Sequence, residues 1–185
     1  MGRKSDAGER LLAAGAELLG KRAYSSVGVA EICAAAGVPK GSFYYFFRSK
    51  QDLALAVIDA HWARQCEQWV HILGAPGSVV DRLHELFRAS AQVQREALAD
   101  AGVVAGCLFG NLALELSSTE PSVRARLEEI FDSQVRMIKD VVGSHDLATS
   151  VVAQLEGLVL MAKLRQDPSQ LETHWTPIAH MLASA

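Results

Sequence analysis

The side chains best suited to hold an anion lie between residues 26 and 50: Ser26, Lys40, Ser42, Tyr44, Tyr45 and Lys50, with Gly41 among them. Most fall in one run, Gly37-Val38-Pro39-Lys40-Gly41-Ser42-Phe43-Tyr44-Tyr45-Phe46-Phe47-Arg48-Ser49-Lys50. The consecutive aromatics Phe43 to Phe47 exceed what a small core can hide, so some tyrosine hydroxyls must face outward beside the lysines. Hydroxyls and ammonium groups are donors to phosphate oxygens, and such contacts position a protein on a nucleic-acid backbone. Lys40 and Lys50 each fall near an expected helix N-terminus. A cation there is mildly unfavourable by itself and makes sense if an external anion is to be bound. Either lysine alone reads equally well as a solvated surface residue. Together with Ser42, and with Gly41 allowing close backbone approach, they point to double-stranded DNA.

A second chemistry belongs to Cys107. It follows Ala105-Gly106 and should sit in the first turn of a helix, where the positive helix end lowers a thiol pKa and enriches the thiolate. The alternative is an inert cysteine packed as a small apolar residue. Cys33, among Ile32, Ala34 and Ala36, fits that second description, as does Cys66 on an apolar helix face. An odd, widely spaced set of three cysteines suits neither a disulfide framework nor a zinc site and implies reduced thiols in a cytoplasm. The six histidines show no ligand spacing. Hydrolase, phosphate-loop and dinucleotide signatures are absent from the sequence, so neither a catalytic centre nor a metal or cofactor is expected.

Helices must position these groups, since the apolar periodicity is helical almost throughout and the fold class is all-α with about nine helices. Helices are expected at about 6–21, 27–36, 39–46, 50–73, 79–98, from 107, 121–143, 146–164 and 169–182. Gly37 takes the place of a C-terminal residue with positive φ, and Pro39 suits the first turn of the next helix. Ser25 or Ser26 is the expected cap of the second helix, and Ser49-Lys50-Gln51-Asp52 resembles a capping box. Ile58, Trp62, Cys66, Trp69 and Leu73 share one face of the fourth helix. Leu83, Leu86, Phe87 and Ala91 point inward from the fifth. The eighth is apolar around most of its circumference through Val151, Val152, Leu155, Leu158, Val159, Met161 and Ala162. A helix buried on more than one side meets something beyond its own domain. Core packing within one subunit is the alternative.

The net charge of −3 is unevenly placed. Residues 1–50 hold eight Lys/Arg against Asp6, Glu9, Glu17 and Glu31, a balance of +4, leaving −7 for the rest. A basic head on an acidic body implies one surface for nucleic acid and another repelled by it. The polar N-terminus does not read as a signal peptide, and no apolar run looks long enough to span a membrane. The expected division is a helix-turn-helix head at 1–49 and a helical body at 50–185.

The run from Gly37 to Lys50 resembles the recognition segment of the TetR family of bacterial regulators, keeping Gly37, Lys40, Gly41, Ser42, Tyr44, Phe47, Ser49 and Lys50. It departs at Tyr45, where histidine is common, and at Phe46, where the missing hydroxyl removes one backbone contact. The resemblance implies a homodimeric DNA-binding regulator, expected to repress, whose final two helices pair through Leu155, Leu158, Val159 and Ala162. It also implies a small-molecule pocket, for which Trp62, Cys66, Trp69, Phe87, Phe109 and Met161 are the candidate lining. Gly106-Cys107-Leu108, with Leu112 and Glu115 following, and the stretch from Gly157 to Leu171 are similar to the electrophile-responsive branch of N-ethylmaleimide-type repressors. That likeness implies a sensor cysteine at Cys107. A reversible lipophilic effector and a small all-helical ligand-modifying enzyme are the competing expectations.

Overall fold

The computed structural model describes Arg3–Ala183, and every regular element in it is helical. In order these are α1 (Arg3–Lys21), a 3-10 turn (Tyr24–Ser26), α2 (Val29–Ala35), α3 (Lys40–Phe46), α4 (Lys50–Leu73), α5 (Val79–Ala101), α6 (Leu108–Leu116), α7 (Pro121–Val142), α8 (His145–Arg165), α9 (Gln170–Thr173) and α10 (Trp175–Ala183). The stretch expected as a single last helix is broken at His174 into α9 and α10. Ser25 and Ser26 do not cap α2 but lie in the 3-10 turn, and Gly28 is the N-cap without a side-chain bond. At Ser49 half of the expected box forms. Asp52 N–H donates to Ser49 Oγ at 3.0 Å, while the Asp52 carboxylate is taken by Arg48.

Two compact units emerge, and they do not divide the chain at residue 49. The first comprises Met1–Ala63 and Asn111–Leu127, so it takes in the start of α4, most of α6 and the start of α7. Its buried side chains include Leu11, Ile32, Phe43, Leu53, Ile58, Leu112 and Val123. Two glycines of α1 make this packing close. A Cβ at Gly15 would stand 2.9 Å from Leu53 Cδ2, and one at Gly8 would stand 2.9 Å from Phe46 Cδ1.

The second unit comprises Arg64–Gly110 and Glu128–Ala185. Its core joins Trp69, Leu83, Leu86, Phe87, Ile138, Val151, Leu155, Val159 and Trp175. Helix α5 starts at a full capping box between Ser78 and Asp81 and stops at Gly102, whose φ of 72° suits a residue without Cβ. Helix α8 has a mean hydropathy of 1.5 over its most apolar 18 residues, long and apolar enough by composition to cross a bilayer. This corrects the expectation that no run reaches that length, since Gln154, Glu156 and Lys163 interrupt the run without lowering its average enough. Its buried stripe of Val151, Val152, Leu155, Val159 and Ala162 marks it as a core helix of this unit.

Candidate nucleic-acid interface and sensor centre

The turn between α2 and α3 closes as its residue types dictate. Gly37 adopts φ +61°, the left-handed conformation an L side chain resists. Gly37 N–H donates to Ala34 O and Val38 N–H to Cys33 O, the paired bonds of a Schellman ending. Val38 and Cys33 are both buried beneath it, and Arg10 Nη1 donates to Ala36 O at 3.2 Å. Pro39 is the N-cap of α3, one residue earlier than the expected helical position. Phe43 is the anchor of α3, fully buried, with Tyr44 edge-on at 5.3 Å and Phe47 at 5.8 Å. That anchoring turns the opposite face out: Lys40 and Gly41 are exposed, and Tyr44 and Tyr45 are 57% and 67% exposed. A Cβ at Gly41 would meet nothing within 4 Å, so its smallness serves no partner inside the protein. Ser42 is half-buried, and Ser26 is exposed with its hydroxyl donating to Ala23 O. Phe46, where a hydroxyl is absent, packs on Gly8.

Lys50 departs from its expected role as a free phosphate donor. Its Nζ donates to Tyr24 O at 2.9 Å and Val27 O at 3.0 Å and stands 3.9 Å from the Tyr24 ring centroid. Burial depresses its pKa, and the nearby Glu115 carboxylate opposes that shift. Glu115, in the last turn of α6, accepts from Tyr24 N–H at 2.9 Å, Ser25 N–H at 3.1 Å and Ser25 Oγ at 3.1 Å. Burial works against the Glu115 charge. The Ser25 and Tyr24 N–H groups, the Ser25 hydroxyl and Lys50 outweigh it and hold the carboxyl below its usual value. Nothing in the local sequence around Glu115 announces this role, because its partners lie 91 and 90 positions away.

Cys107 immediately precedes α6, and its Sγ accepts from Gly110 N–H at 3.5 Å, as an N-cap side chain does. The expected depression of its pKa does not result. Burial first, then the Glu156 carboxylate of α8, push the thiol well above its ordinary value, and the Gly110 N–H opposes them only in part. Glu156 itself is raised by burial and is hydrogen-bonded to the thiol. Gly110 leaves room for this pair: a Cβ there would approach Glu156 Oε2 to 3.3 Å. The loop ahead of Cys107 is fixed by two amides. Gln94, nearly fully buried, accepts from Gly106 N–H and donates to Gly106 O, and Gln166 Oε1 accepts from Val104 N–H at 2.8 Å. Sequence reasoning missed Gln94, Glu156 and Gln166, which reach the loop from other helices.

The candidate pocket residues are divided between the two units. Trp62 belongs to the first unit and Cys66, Trp69, Phe87 and Phe109 to the second. Trp69 and Phe87 are core, Phe109 is fully buried and edge-on to Phe131 at 6.5 Å, and Cys66 is half-buried. Met161 is 44% exposed. An open groove of 340 Å³ bounded by Gln68, Arg88, Gln92, Arg95 and Glu96 shares none of these residues. The expected interface set is divided as well. Leu155, Val159 and Ala162 are buried in their own unit, Leu158 is half-buried, and the outward apolar side of α8 is Leu160, Met161 and Leu164, the last 70% exposed.

Comparison with known proteins agrees with this architecture. The profile of the bacterial regulatory proteins of the tetR family matches residues 11–57, and that of the LmrA/YxaF-like transcriptional regulator C-terminal domain matches 84–174. The chain is 35% identical to the transcriptional regulator AcuR of Cereibacter sphaeroides, over 89% of this chain and 80% of that protein. It is 29% identical to the transcriptional repressor NemR of Escherichia coli, over 67% of this chain and 61% of that protein. Among solved structures, a TetR regulatory protein from Rhodobacter sphaeroides superposes with a TM-score of 0.79 at 31% identity, covering 94% of this chain and 97% of that one. The reduced form of Escherichia coli NemR has the same fold, with a TM-score of 0.80 at 24% identity over 95% of this chain and 97% of that one. With the helix-turn-helix and the helical body each matched, this chain belongs to the TetR family of bacterial transcriptional regulators and is not an enzyme.

Proposed function

We propose that the protein is a cytoplasmic homodimeric repressor that holds operator DNA through α3 and releases it when an effector engages the second unit. The observation that carries the reading is the outward face of α3. Lys40, Gly41, Tyr44 and Tyr45 are exposed together on a helix pinned by the buried Phe43. Ser42 flanks that face as a further donor to phosphate or base edges, and Ser26 would join it by turning its hydroxyl away from Ala23 O. TetR-family regulators bind operator DNA as dimers and respond to small molecules, and the relatives NemR and DhaR are named as repressors. In a dimer, two copies of α3 would read half-sites about 34–36 Å apart or somewhat more. Tilting of α4, which begins directly after the recognition segment, would change that spacing. The exposed Leu160, Met161 and Leu164, with Leu158, form the pairing face of α8.

Two effector classes fit the second unit. Modification of Cys107 is supported by its place at the start of α6 and by the likeness to NemR. A reversible apolar ligand is favoured by the protonated state in which burial and Glu156 keep the thiol. The test begins with duplexes selected by the purified protein from a random library. A two-fold symmetric protected site that Tyr44→Ala loses supports the reading, and binding without sequence preference refutes it. Exposure of the complex to N-ethylmaleimide, with Cys107→Ser alongside, then separates the effector classes.

A further inference from the structure

We propose that Glu115 is a positioning residue for DNA binding: through Tyr24 and Ser25 it fixes the segment that opens the helix-turn-helix, and through α6 it ties that segment to Cys107. The geometry is specific. One carboxylate takes two successive backbone N–H groups and a hydroxyl, at 2.9, 3.1 and 3.1 Å. In the same segment Lys50 Nζ donates to the carbonyls of Tyr24 and Val27, at 2.9 and 3.0 Å. The 3-10 turn therefore has its donors held by an anion of α6 and its acceptors by a cation of α4. The segment needs outside support because Gly28, its N-cap to α2, supplies no side-chain bond. Charge-assisted bonds are the stronger kind, and losing one partner leaves the others unpaired. Arg22 adds a third hold, since its Nη2 donates to Ser26 O at 3.0 Å while its Nη1 pairs with Glu31 of α2. The turn and α2 are thus held as one piece, and displacement of Glu115 would reach the helix that carries α3.

Helix α6 starts one residue after Cys107 and ends one residue after Glu115. An adduct or ligand that shifts or unwinds α6 acts on Glu115 along a single helix. The positioning role rests on the DNA-binding reading alone, and the link to Cys107 rests also on the sensor reading.

The test uses the full-length protein and the duplex that wild type selects from a random library, with poly(dI-dC) as the non-specific probe. Glu115→Ala should weaken the selected duplex by about tenfold or more, as expected for loss of charge-assisted bonds. Binding to poly(dI-dC) should change less than about twofold, because no phosphate contact is removed. A folded Glu115→Ala protein that binds the selected duplex like wild type overturns the proposal. So does one that loses both probes equally. If Glu115→Ala fails to fold, Ser25→Ala decides, since it removes one bond without touching α6. A loss of about threefold on the selected duplex alone supports the role, and no loss overturns it. N-ethylmaleimide should release wild type and add little to Glu115→Ala. Full additional release refutes the link through α6. If wild type itself ignores the alkylator, the sensor reading falls, and the two DNA probes still decide the positioning role.

Discussion

Replacing Lys50 with methionine separates a lysine that holds protein from one that holds DNA. Methionine keeps an unbranched stem of similar reach and deletes only the ammonium. The structure assigns that ammonium two hydrogen bonds to carbonyls, at 2.9 and 3.0 Å, and one aromatic face at 3.9 Å. Bonds from a charged donor contribute about 1.5–3 kcal/mol each, and a partly exposed cation–π contact about 0.5–1 kcal/mol. Val27 N–H continues to satisfy Tyr24 O in the variant, and the ammonium regains full hydration in the unfolded chain. Both effects reduce the sum, leaving a net loss of about 2 kcal/mol. For a chain of this size that corresponds to a melting temperature lower by about 4–8 °C. Circular dichroism melts of K50M against wild type measure it. Operator affinity at several salt concentrations supplies the second half, because a lysine on phosphate contributes about 0.9 to the log–log slope. The expected result is a lower melting temperature with an unchanged slope. An unchanged melt with a slope smaller by about one per lysine would refute the carbonyl cage and restore Lys50 as a direct phosphate contact.

Gly37→Ala should cost about 1–2 kcal/mol, because φ of +61° places a Cβ against the backbone whatever the space around it; the loss appears in urea melts and should be absent for Gly41→Ala. Leu164→Glu should yield a folded monomer by sedimentation, since the side chain is 70% exposed in the protomer, whereas Val159→Asp, at 6%, should unfold the second unit. Alkylation of Cys107 by N-ethylmaleimide should be slow at pH 7 and keep accelerating above the usual thiol range, because burial and Glu156 raise the thiol pKa. Glu156→Gln should speed the reaction at neutral pH by removing the charge that disfavours thiolate, and unchanged rates would refute that electrostatic account.

The recognition turn was legible because its determinants are local. A glycine with positive φ, a proline two residues after it and a buried Phe43 among solvent-facing tyrosines specify the turn within about ten residues. Apolar periodicity likewise marked Leu83, Leu86, Phe87 and Ala91, all of which are buried. The side chains that tune the sites were not legible, since their partners are distant in sequence or belong to the backbone. Lys50 answers to carbonyls 23 and 26 positions earlier, and the Cys107 thiol is made less acidic by burial first and then by a carboxylate on α8. Helix α8 misled for another reason. A helix apolar on every side carries no phase, so periodicity could not say that Val159 turns inward while Leu160 and Leu164 turn outward. Its length as one apolar span was obscured by three scattered polar residues.

The first unit is assembled from two separate stretches of chain, 1–63 and 111–127. Recombination between relatives is therefore constrained in a way the order of helices conceals. A crossover after residue 63 that joins this head to another regulator's body would leave Tyr24 and Ser25 facing whatever that body carries in place of Glu115. Gln51 would lose Ser122, and Asp59 would lose Arg126, unless the new body repeats them. Exchange of operator specificity by a single cut should produce heads that fold poorly or bind loosely. A transplant that includes 111–127 keeps the unit intact, so new specificities in this lineage are more readily reached by point changes on α3 than by shuffling whole heads.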